Sequence, residues 1–286
     1  MLRASAKLAA AAAVTVGVEI AILVYNTPRL PEAAGKRTGT CVDKEHVKEV
    51  KKKPGDLSIL VFGDSVATGV GCDSNKVAFA GCIAKEMSSK VNNTLVHWKI
   101  LGKSGFTAKD CETKLIPILE RKKRQKNTGR HIFDVCVVSI GVNHVLSLHS
   151  PATFEEELTS MLTKLSEALT VTSQHGNVQK KCVIIVAAMP PMEKFPQISY
   201  LWPLNILVGY YASLMTAVTK KVCAANSKAL GTVCVEFSDI GVDTSSENIK
   251  QLMAPDGFHP AQGACEIMAK QIVDVYKNLD PNKEAT

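Results

Sequence analysis

The stretch LSILVFGDSVATG, residues 57–69, indicates how this chain folds. Its first seven residues form a short, mainly apolar run that ends in Gly63, and a segment with helical periodicity follows. A continuous apolar run of this kind is typical of a strand that is covered on both faces of a parallel sheet. Asp64 and Ser65 then follow the carboxyl end of the strand, where an open parallel sheet forms its ligand crevice.

The same pattern recurs along the rest of the chain. It predicts further strands near residues 95–101, 134–141, 182–188 and 233–238, and helices near 77–91, 107–123, 153–173, 205–228 and 261–278. Five strand–helix repeats joined by right-handed crossovers predict an α/β fold with a doubly wound, five-stranded parallel sheet.

Composition restricts the class of protein. The chain has 286 residues, of which 46% are hydrophobic and 21% are charged, which excludes a disordered chain, a collagen-like fibre and a polytopic membrane protein. The formal charge is +7, but residues 1–55 carry +5 of it and the remaining body carries only +2. A body this close to neutral argues against nucleic acid as a partner.

The nine cysteines predict free thiols. Their number is odd, no CxxC pair occurs, and Cys136 and Cys182 lie inside apolar runs, where cysteine behaves as a small hydrophobic residue. The pattern argues against a disulfide framework and against a zinc site, so we expect no metal. Free thiols also favour a reducing environment.

The N-terminal segment predicts membrane association. Residues 8–25 read LAAAAAVTVGVEIAILVY and follow Arg3 and Lys7, so residues 1–27 are predicted as a single-pass signal anchor. Glu19 is costly inside a span. A mitochondrial targeting segment, a secretory signal and a buried helix of the main domain remain alternatives. Residues 28–55 are predicted as a basic linker, 56–280 as the main domain and 281–286 as a C-terminal tail.

Common nucleotide and hydrolase motifs are missing. GVGCDS at residues 69–74 lacks the third glycine of a dinucleotide-binding loop, and GKS at 102–104 lacks the earlier glycine of a P-loop. No GxSxG sequence occurs, which excludes the usual nucleophile elbow of α/β-hydrolases.

A serine and an aspartate–histidine pair have the residue types that nucleophilic catalysis requires. Ser65 follows the first strand, and Asp256 and His259 lie three residues apart in APDGFHP, after the last strand. An aspartate so placed is able to hold the imidazole Nδ1–H and leave Nε2 free to deprotonate a serine. A helix N-cap at Asp64 or Ser65 and a structural Asp–His pair are the alternative interpretations.

Two further strand ends offer hydrogen-bond donors. Gly105 follows the second strand with an unhindered backbone N–H, and Asn143 follows the third with a side-chain amide. Together with the N–H of Ser65 they would supply an oxyanion hole for acyl transfer. Taken singly, Gly105 is also interpretable as a turn glycine and Asn143 as a helix cap.

These four blocks, GDSV at 63–66, Gly105 in SGFT, GVNH at 141–144 and DGFH at 256–259, resemble those of the SGNH hydrolases, also called the GDSL esterase/lipase family. The resemblance spans about residues 57–278. It implies a flavodoxin-like three-layer α/β/α fold with Ser65 as nucleophile, His259 as base and Asp256 as the carboxylate that orients it. The oxyanion hole would be formed by Ser65, Gly105 and Asn143. Val66 replaces the usual leucine, and His144 replaces the aspartate common in the third block.

An aromatic insertion after the fourth strand predicts where substrate binds. Residues 189–204 read MPPMEKFPQISYLWPL, and we expect Phe195, Tyr200, Leu201 and Trp202 to form an acyl-binding wall or a lip facing lipid. An ordinary cover over the core is the alternative. The overall prediction is a cofactor-free serine esterase that hydrolyses an acyl ester of a lipid or an acetylated glycan. An acyltransferase with the same triad and an inactive lipid- or glycan-binding domain remain open.

Overall fold

The computed structural model describes residues 14–23, 25–41, 56–91, 95–125, 133–172, 178–237 and 252–279. Its strands are β1 Thr38–Cys41, β2 Asp56–Gly63, β3 Leu95–Gly102, β4 Val135–Ser139, β5 Val171–Thr172, β6 Val178–Lys180, β7 Val183–Ala187 and β8 Thr232–Val235. Its numbered helices are α1 Phe79–Lys90, α2 Ala108–Asp110, α3 Ile116–Gln125, α4 Val142–Leu146, α5 Pro151–Leu169, α6 Leu204–Leu230 and α7 Gln262–Leu279. A π-helical turn, Cys111–Leu115, joins α2 to α3.

The main sheet has six strands in the order β1-β3-β2-β4-β7-β8. The last five are parallel, as predicted, but β1 pairs antiparallel with β3 at the edge, so the prediction of a purely parallel five-stranded sheet is wrong by one strand. The sequence TGTC of β1 carries no apolar run, because an edge strand need not be buried on both faces. β1 lies within residues 28–55, which the sequence predicts to be a linker.

The core lies on both faces of the sheet. In β2, Leu60 and Phe62 belong to the cluster that packs under α5 and α6, whereas Ile59 and Val61 belong to the cluster under α1 and α7. Successive side chains of a strand point to opposite faces, so a strand covered on both sides must be apolar throughout. The result is the predicted three-layer α/β/α arrangement.

The register aligns the strand ends that carry the polar motifs. Gly63, the last residue of β2, pairs with Gly102 of β3 on one side and with Ser139 of β4 on the other. The chain order changes direction at β2, since β3 lies on one side and β4 on the other. This is the switch point at which open α/β sheets bind their ligands.

The N-terminal helix, described over residues 14–23, contacts the body of the protein. Glu19 is only 8% exposed, and its Oε2 accepts a hydrogen bond from the backbone N–H of Leu204 at 3.0 Å. α6 begins after Pro203 without a side-chain cap of its own, so Glu19 satisfies a backbone donor that α6 leaves open.

The predicted anchor, residues 8–25, is only partly described, because residues 8–13 and 24 lie outside the described ranges. Within those ranges, no helix has the length and apolar character needed to cross a membrane. The predicted tail, residues 281–286, also lies outside the described residues. All nine cysteines are reduced thiols, as predicted, and six of them are buried.

Candidate active site

Ser65 reaches the switch point through a turn that requires glycine. Gly63 has φ +138°, and a Cβ at this position would overlap the backbone carbonyl oxygen of Ser139. The close approach is held by a hydrogen bond from the Asp64 backbone N–H to the same oxygen at 3.1 Å. The side chain of Ser65 follows directly, and the residue is 9% exposed.

Asp256 holds His259 in one orientation. Asp256 Oδ2 lies 2.6 Å from His259 Nδ1, and Oδ1 accepts the backbone N–H groups of Phe258 and His259 at 3.0 and 2.9 Å. Burial acts to raise the pKa of Asp256, but the hydrogen bonds from His259 and Phe258 outweigh it and lower the pKa. The residue is therefore a carboxylate at neutral pH, and it fixes the imidazole through Nδ1, which leaves Nε2 for chemistry.

Ser65 and His259 line one cavity of about 130 Å³, although they come from opposite ends of the domain sequence. Most of the remaining wall is apolar, and its largest side chains are Ile140, Met189, Phe195, Phe237, Leu252, Met253, Phe258 and Met268. The site thus combines a serine and an oriented histidine with a mainly hydrocarbon surface.

Asp64 is a buried carboxyl group of the site that the sequence interpretation treats only as a cap. Its Oδ1 accepts the Val66 backbone N–H at 3.1 Å and the Ser139 hydroxyl at 3.2 Å, and it also lines the cavity. Burial raises the pKa of Asp64 from 3.8 to about 6, against the opposing effects of these hydrogen bonds and of the nearby His259. The signal in the sequence was a carboxylate directly after a fully apolar strand.

The predicted oxyanion donors lie beside each other at the ends of β3 and β4. The Asn143 Nδ2 donates to the carbonyl oxygen of Phe106 at 2.9 Å, which ties its loop to the turn containing Gly105. Gly105 is exposed and has φ +83°. Neither Gly105 nor Asn143, both within the described part of the chain, lines the cavity. The Asn143 amide carries a second hydrogen, so one donor remains after the bond to Phe106.

His144, which departs from the family pattern, is fully buried at 0% exposure. Its Nε2 lies 3.3 Å from the Ala108 backbone N–H and 3.1 Å from Glu157 Oε2, two partners that require opposite tautomers. Burial lowers the pKa of His144, and Glu157 opposes that shift. His144 therefore joins α4 to the start of α2, and it does not line the cavity.

His144, His149 and Glu157 also form a group that could hold a metal ion in the described part of the chain. Their ligand atoms lie within 4.8 Å of one another, and two imidazoles with a carboxylate are a donor set that suits zinc. None of these three described residues lines the cavity that contains Ser65 and His259.

The four predicted substrate contacts are divided between the cavity, the interior and the surface. Phe195 lines the cavity and packs edge-to-face against Phe258, with ring centroids 5.6 Å apart. Leu201 is buried without lining the cavity, whereas Tyr200 and Trp202 are 59% and 70% exposed. Of these four side chains, all within the described residues, only Phe195 faces the candidate active site.

The fold is a three-layer α/β/α sandwich with its polar residues at the switch point of a mainly parallel sheet. A family model, GDSL-like lipase/acylhydrolase, matches residues 59–272, and the chain belongs to that family. The protein is accordingly a carboxylic ester hydrolase, which confirms the resemblance seen in the four blocks. No curated protein matches the chain.

Similar solved structures share the fold. A lipase from a goat rumen metagenome, Lip_vut3, is 16% identical with a TM-score of 0.55, covering 76% of this chain and 96% of its own. TesA is 18% identical with a TM-score of 0.52, and the match covers 78% of this chain and 100% of TesA. Est24, a carbohydrate acetylesterase from Sinorhizobium meliloti, is 15% identical with a TM-score of 0.51, also covering 78% and 100%.

Proposed function

We propose that the protein hydrolyses acyl esters through a triad of Ser65, His259 and Asp256. The Ser65 hydroxyl oxygen attacks the ester carbonyl carbon, while His259 Nε2 takes the hydroxyl proton. The carbonyl oxygen becomes an oxyanion, to which the backbone N–H of Ser65 and Gly105 and the amide of Asn143 donate.

Collapse of this intermediate breaks the bond to the leaving alcohol. The imidazolium of His259 gives its proton to the alkoxide, so the alcohol departs and the acyl group stays on the Ser65 oxygen. A water molecule then attacks the acyl carbon, again giving its proton to His259, and the acid leaves as Ser65 recovers its proton. Asp256, held ionised by its hydrogen bonds, stabilises the imidazolium in both halves.

One observation carries this proposal. Ser65 and the Asp256-oriented His259 meet on a single cavity, although nothing in the local sequence of either segment requires it. If the Asp–His pair were only structural, or if the serine only capped a turn, there would be no reason for Ser65 and His259 to line the same cavity.

The cavity also indicates the size of the acyl group. Its volume of about 130 Å³ is close to the ~150 Å³ of an apolar cavity that holds benzene, which corresponds to roughly four to six carbon atoms. We therefore propose short acyl chains as the preferred substrates. Phe195→Ala enlarges the cavity, so we expect the preferred chain to lengthen by about two carbons.

Serine labelling tests the proposal directly. A fluorophosphonate probe should label the wild-type protein and the Ser89→Ala variant, whose changed serine is exposed on α1, and should not label Ser65→Ala. Hydrolysis of p-nitrophenyl butyrate should follow the same pattern. If Ser65→Ala retains labelling and turnover, the triad assignment is wrong. If the folded wild-type protein shows neither, the chain is an inactive binding domain.

Product analysis separates hydrolysis from transfer. With p-nitrophenyl butyrate and increasing glycerol or an alkyl alcohol, a hydrolase yields mainly butyric acid. An acyltransferase yields mainly the new ester, because the same acyl-enzyme is then intercepted by the alcohol.

A further inference from the structure

Exposed apolar side chains are concentrated in one part of this molecule. Of the thirteen large hydrophobic residues that are exposed in the described ranges, ten lie in the N-terminal helix with its extension to Tyr25, or between Tyr200 and Tyr210. Single exposed hydrophobic residues are normal on any protein surface, whereas a contiguous group marks an interaction site.

The N-terminal helix exposes an apolar stripe on its outer side. Val14, Val18 and Ile22 follow one another at intervals of four residues, which places them on one face of a helix, and all three are exposed. Glu19 and Leu23 face the opposite way, since Glu19 accepts the Leu204 N–H and Leu23 packs against the core. The helix therefore turns its one charged residue, Glu19, toward the protein and exposes an apolar stripe on its outer side.

The start of α6 shows the same feature. Tyr210 follows Ile206 by four residues and Leu207 by three, which places the three side chains on one side of the helix, and each is at least half exposed. Tyr200 and Trp202, which precede the helix, are also exposed. Tyrosine and tryptophan are the residues that favour the boundary between hydrocarbon and water, because their rings are apolar and their edges carry a hydrogen-bonding group.

Two hydrogen bonds hold these segments side by side. Glu19 Oε2 accepts the Leu204 N–H at the first turn of α6, and the Gln197 Nε2 donates to the Thr27 hydroxyl at 3.0 Å. We assign the two exposed stripes to one surface, which we call the apolar platform, formed by residues 14–23, 25 and 200–210.

The distribution of charged residues indicates what binds to this surface. Residues 195–219 contain no Asp, Glu, Lys, Arg or His, and residues 8–28 contain only Glu19, whose carboxylate is turned inward. Arg29, at the end of the N-terminal segment, is an exposed cation beside the platform. Glu193 lies beside Gly209 at the border of this face. An apolar face with aromatic residues and a flanking cation matches a bilayer that contains anionic lipids.

We propose that the apolar platform lies on the surface of a lipid bilayer, with the N-terminal helix in the plane of the interface. Glu19 then never enters hydrocarbon, because its carboxylate caps α6. Gln197, whose side chain bonds Thr27, also donates its backbone N–H to the carbonyl oxygen of Gly257, in the loop that carries Asp256 and His259, so the platform is joined to the active-site loop. Resting on the proposed esterase function, the inference is that the natural substrate is an amphiphilic ester taken from the membrane.

Tryptophan fluorescence tests the contact directly, because the chain has two tryptophans in opposite environments. Trp202 is 70% exposed on the platform and Trp98 is buried. With full-length Ser65→Ala protein, vesicles of phosphatidylcholine and phosphatidylserine should shift the emission to shorter wavelength, and brominated lipids should quench it. In Trp202→Phe, where only Trp98 remains, neither change should occur. Quenching that persists in Trp202→Phe, or its absence in the parent, overturns the proposal.

A second test introduces negative charge into the platform and measures binding to the same vesicles by flotation. The Leu207→Glu/Tyr210→Glu variant should lose binding by about tenfold or more, because each change places a charge against lipid. Leu279→Glu, at an exposed apolar position outside the platform, should bind like the parent. Equal binding of all three proteins contradicts the proposal. A lipid-free dimer that only the double variant dissociates would also contradict it, since the face would then pair two copies.

Activity separates this inference from the esterase proposal. In the background with Ser65 intact, the double variant should hydrolyse water-soluble p-nitrophenyl butyrate as the parent does, and should lose turnover of an ester embedded in vesicles. A protein that binds vesicles but hydrolyses no ester contradicts only the proposed function. A protein that hydrolyses butyrate but does not bind vesicles contradicts only the membrane inference.

Discussion

Replacing Asp64 by Asn should remove a pH dependence of folding that burial creates. Asn keeps an oxygen that is able to accept from the Val66 N–H and the Ser139 hydroxyl, both of which bind Asp64 Oδ1. It removes the ionisable group whose pKa burial raises from 3.8 to about 6. The change therefore isolates the cost of a charge beneath the active site.

The sign follows from proton binding. Below about pH 3 the carboxyl is protonated in both the folded and the unfolded chain, so it contributes little pH dependence there. As the pH rises toward 6, the unfolded chain releases its proton while folded Asp64 retains it, and the free energy of unfolding falls. A shift of about two pKa units corresponds to a loss of about 3 kcal/mol, which is complete above the folded pKa.

Urea unfolding of both proteins at several pH values between about 3 and 7 measures this effect. Other carboxyl groups titrate in the same range, so the quantity to compare is the difference between the two proteins at each pH. Relative to the wild type, Asp64→Asn should gain about 3 kcal/mol of stability on going from the lowest to the highest pH. A difference that does not change with pH would show that Asp64 ionises normally in the folded protein, and the argument from burial would be wrong.

Three further substitutions test the geometry of the site. Gly63→Ala should cost about 3 kcal/mol or more in chemical denaturation, because the methyl group meets a neighbouring carbonyl and the positive φ disfavours alanine, whereas Gly17→Ala, with open space around it, should cost nothing. Asp256→Asn should lower kcat/KM for p-nitrophenyl butyrate by roughly 10³–10⁴-fold with little change in Tm, since the wrong imidazole tautomer is then favoured; a loss below tenfold would exclude Asp256 from the triad. His144→Asp, although it restores the residue common in the family, should destabilise the protein by about 2 kcal/mol or more, because a second carboxylate then faces Glu157. Adding Glu157→Gln should recover most of that loss, and an additive double-mutant cycle would contradict this explanation.

Some features of this protein were readable directly from local sequence. The five parallel strands were predicted to within three residues at each end, because a strand buried on both faces must be a short apolar run whatever surrounds it. The polar blocks at 63–66, 141–144 and 256–259 were found for a related reason: in a parallel sheet the crevice lies at the carboxyl ends of strands, so their position along the chain already indicates their position in space.

Other features depended on contacts between distant segments. The edge strand β1 has no apolar pattern, and it pairs with β3 only because Gly39 leaves room for the ring of Trp98 across the ladder. The hydrogen bond by which Glu19 caps α6 joins residues 185 positions apart. No local sequence pattern therefore distinguishes Glu19 from an unpaired acidic residue inside a membrane anchor.

The sequence by itself therefore determined the fold class, the family and the identity of the residues that carry the proposed chemistry. Tertiary structure decided their environment. Asp64 is a raised-pKa carboxyl group only because β4 and the His259 loop bury it, and Phe195 faces the cavity while Tyr200 and Trp202 face outward. Hydropathy periods arise from neighbours along the chain, but burial, ionisation and surface exposure depend on which distant segments come together, and only packing decides that.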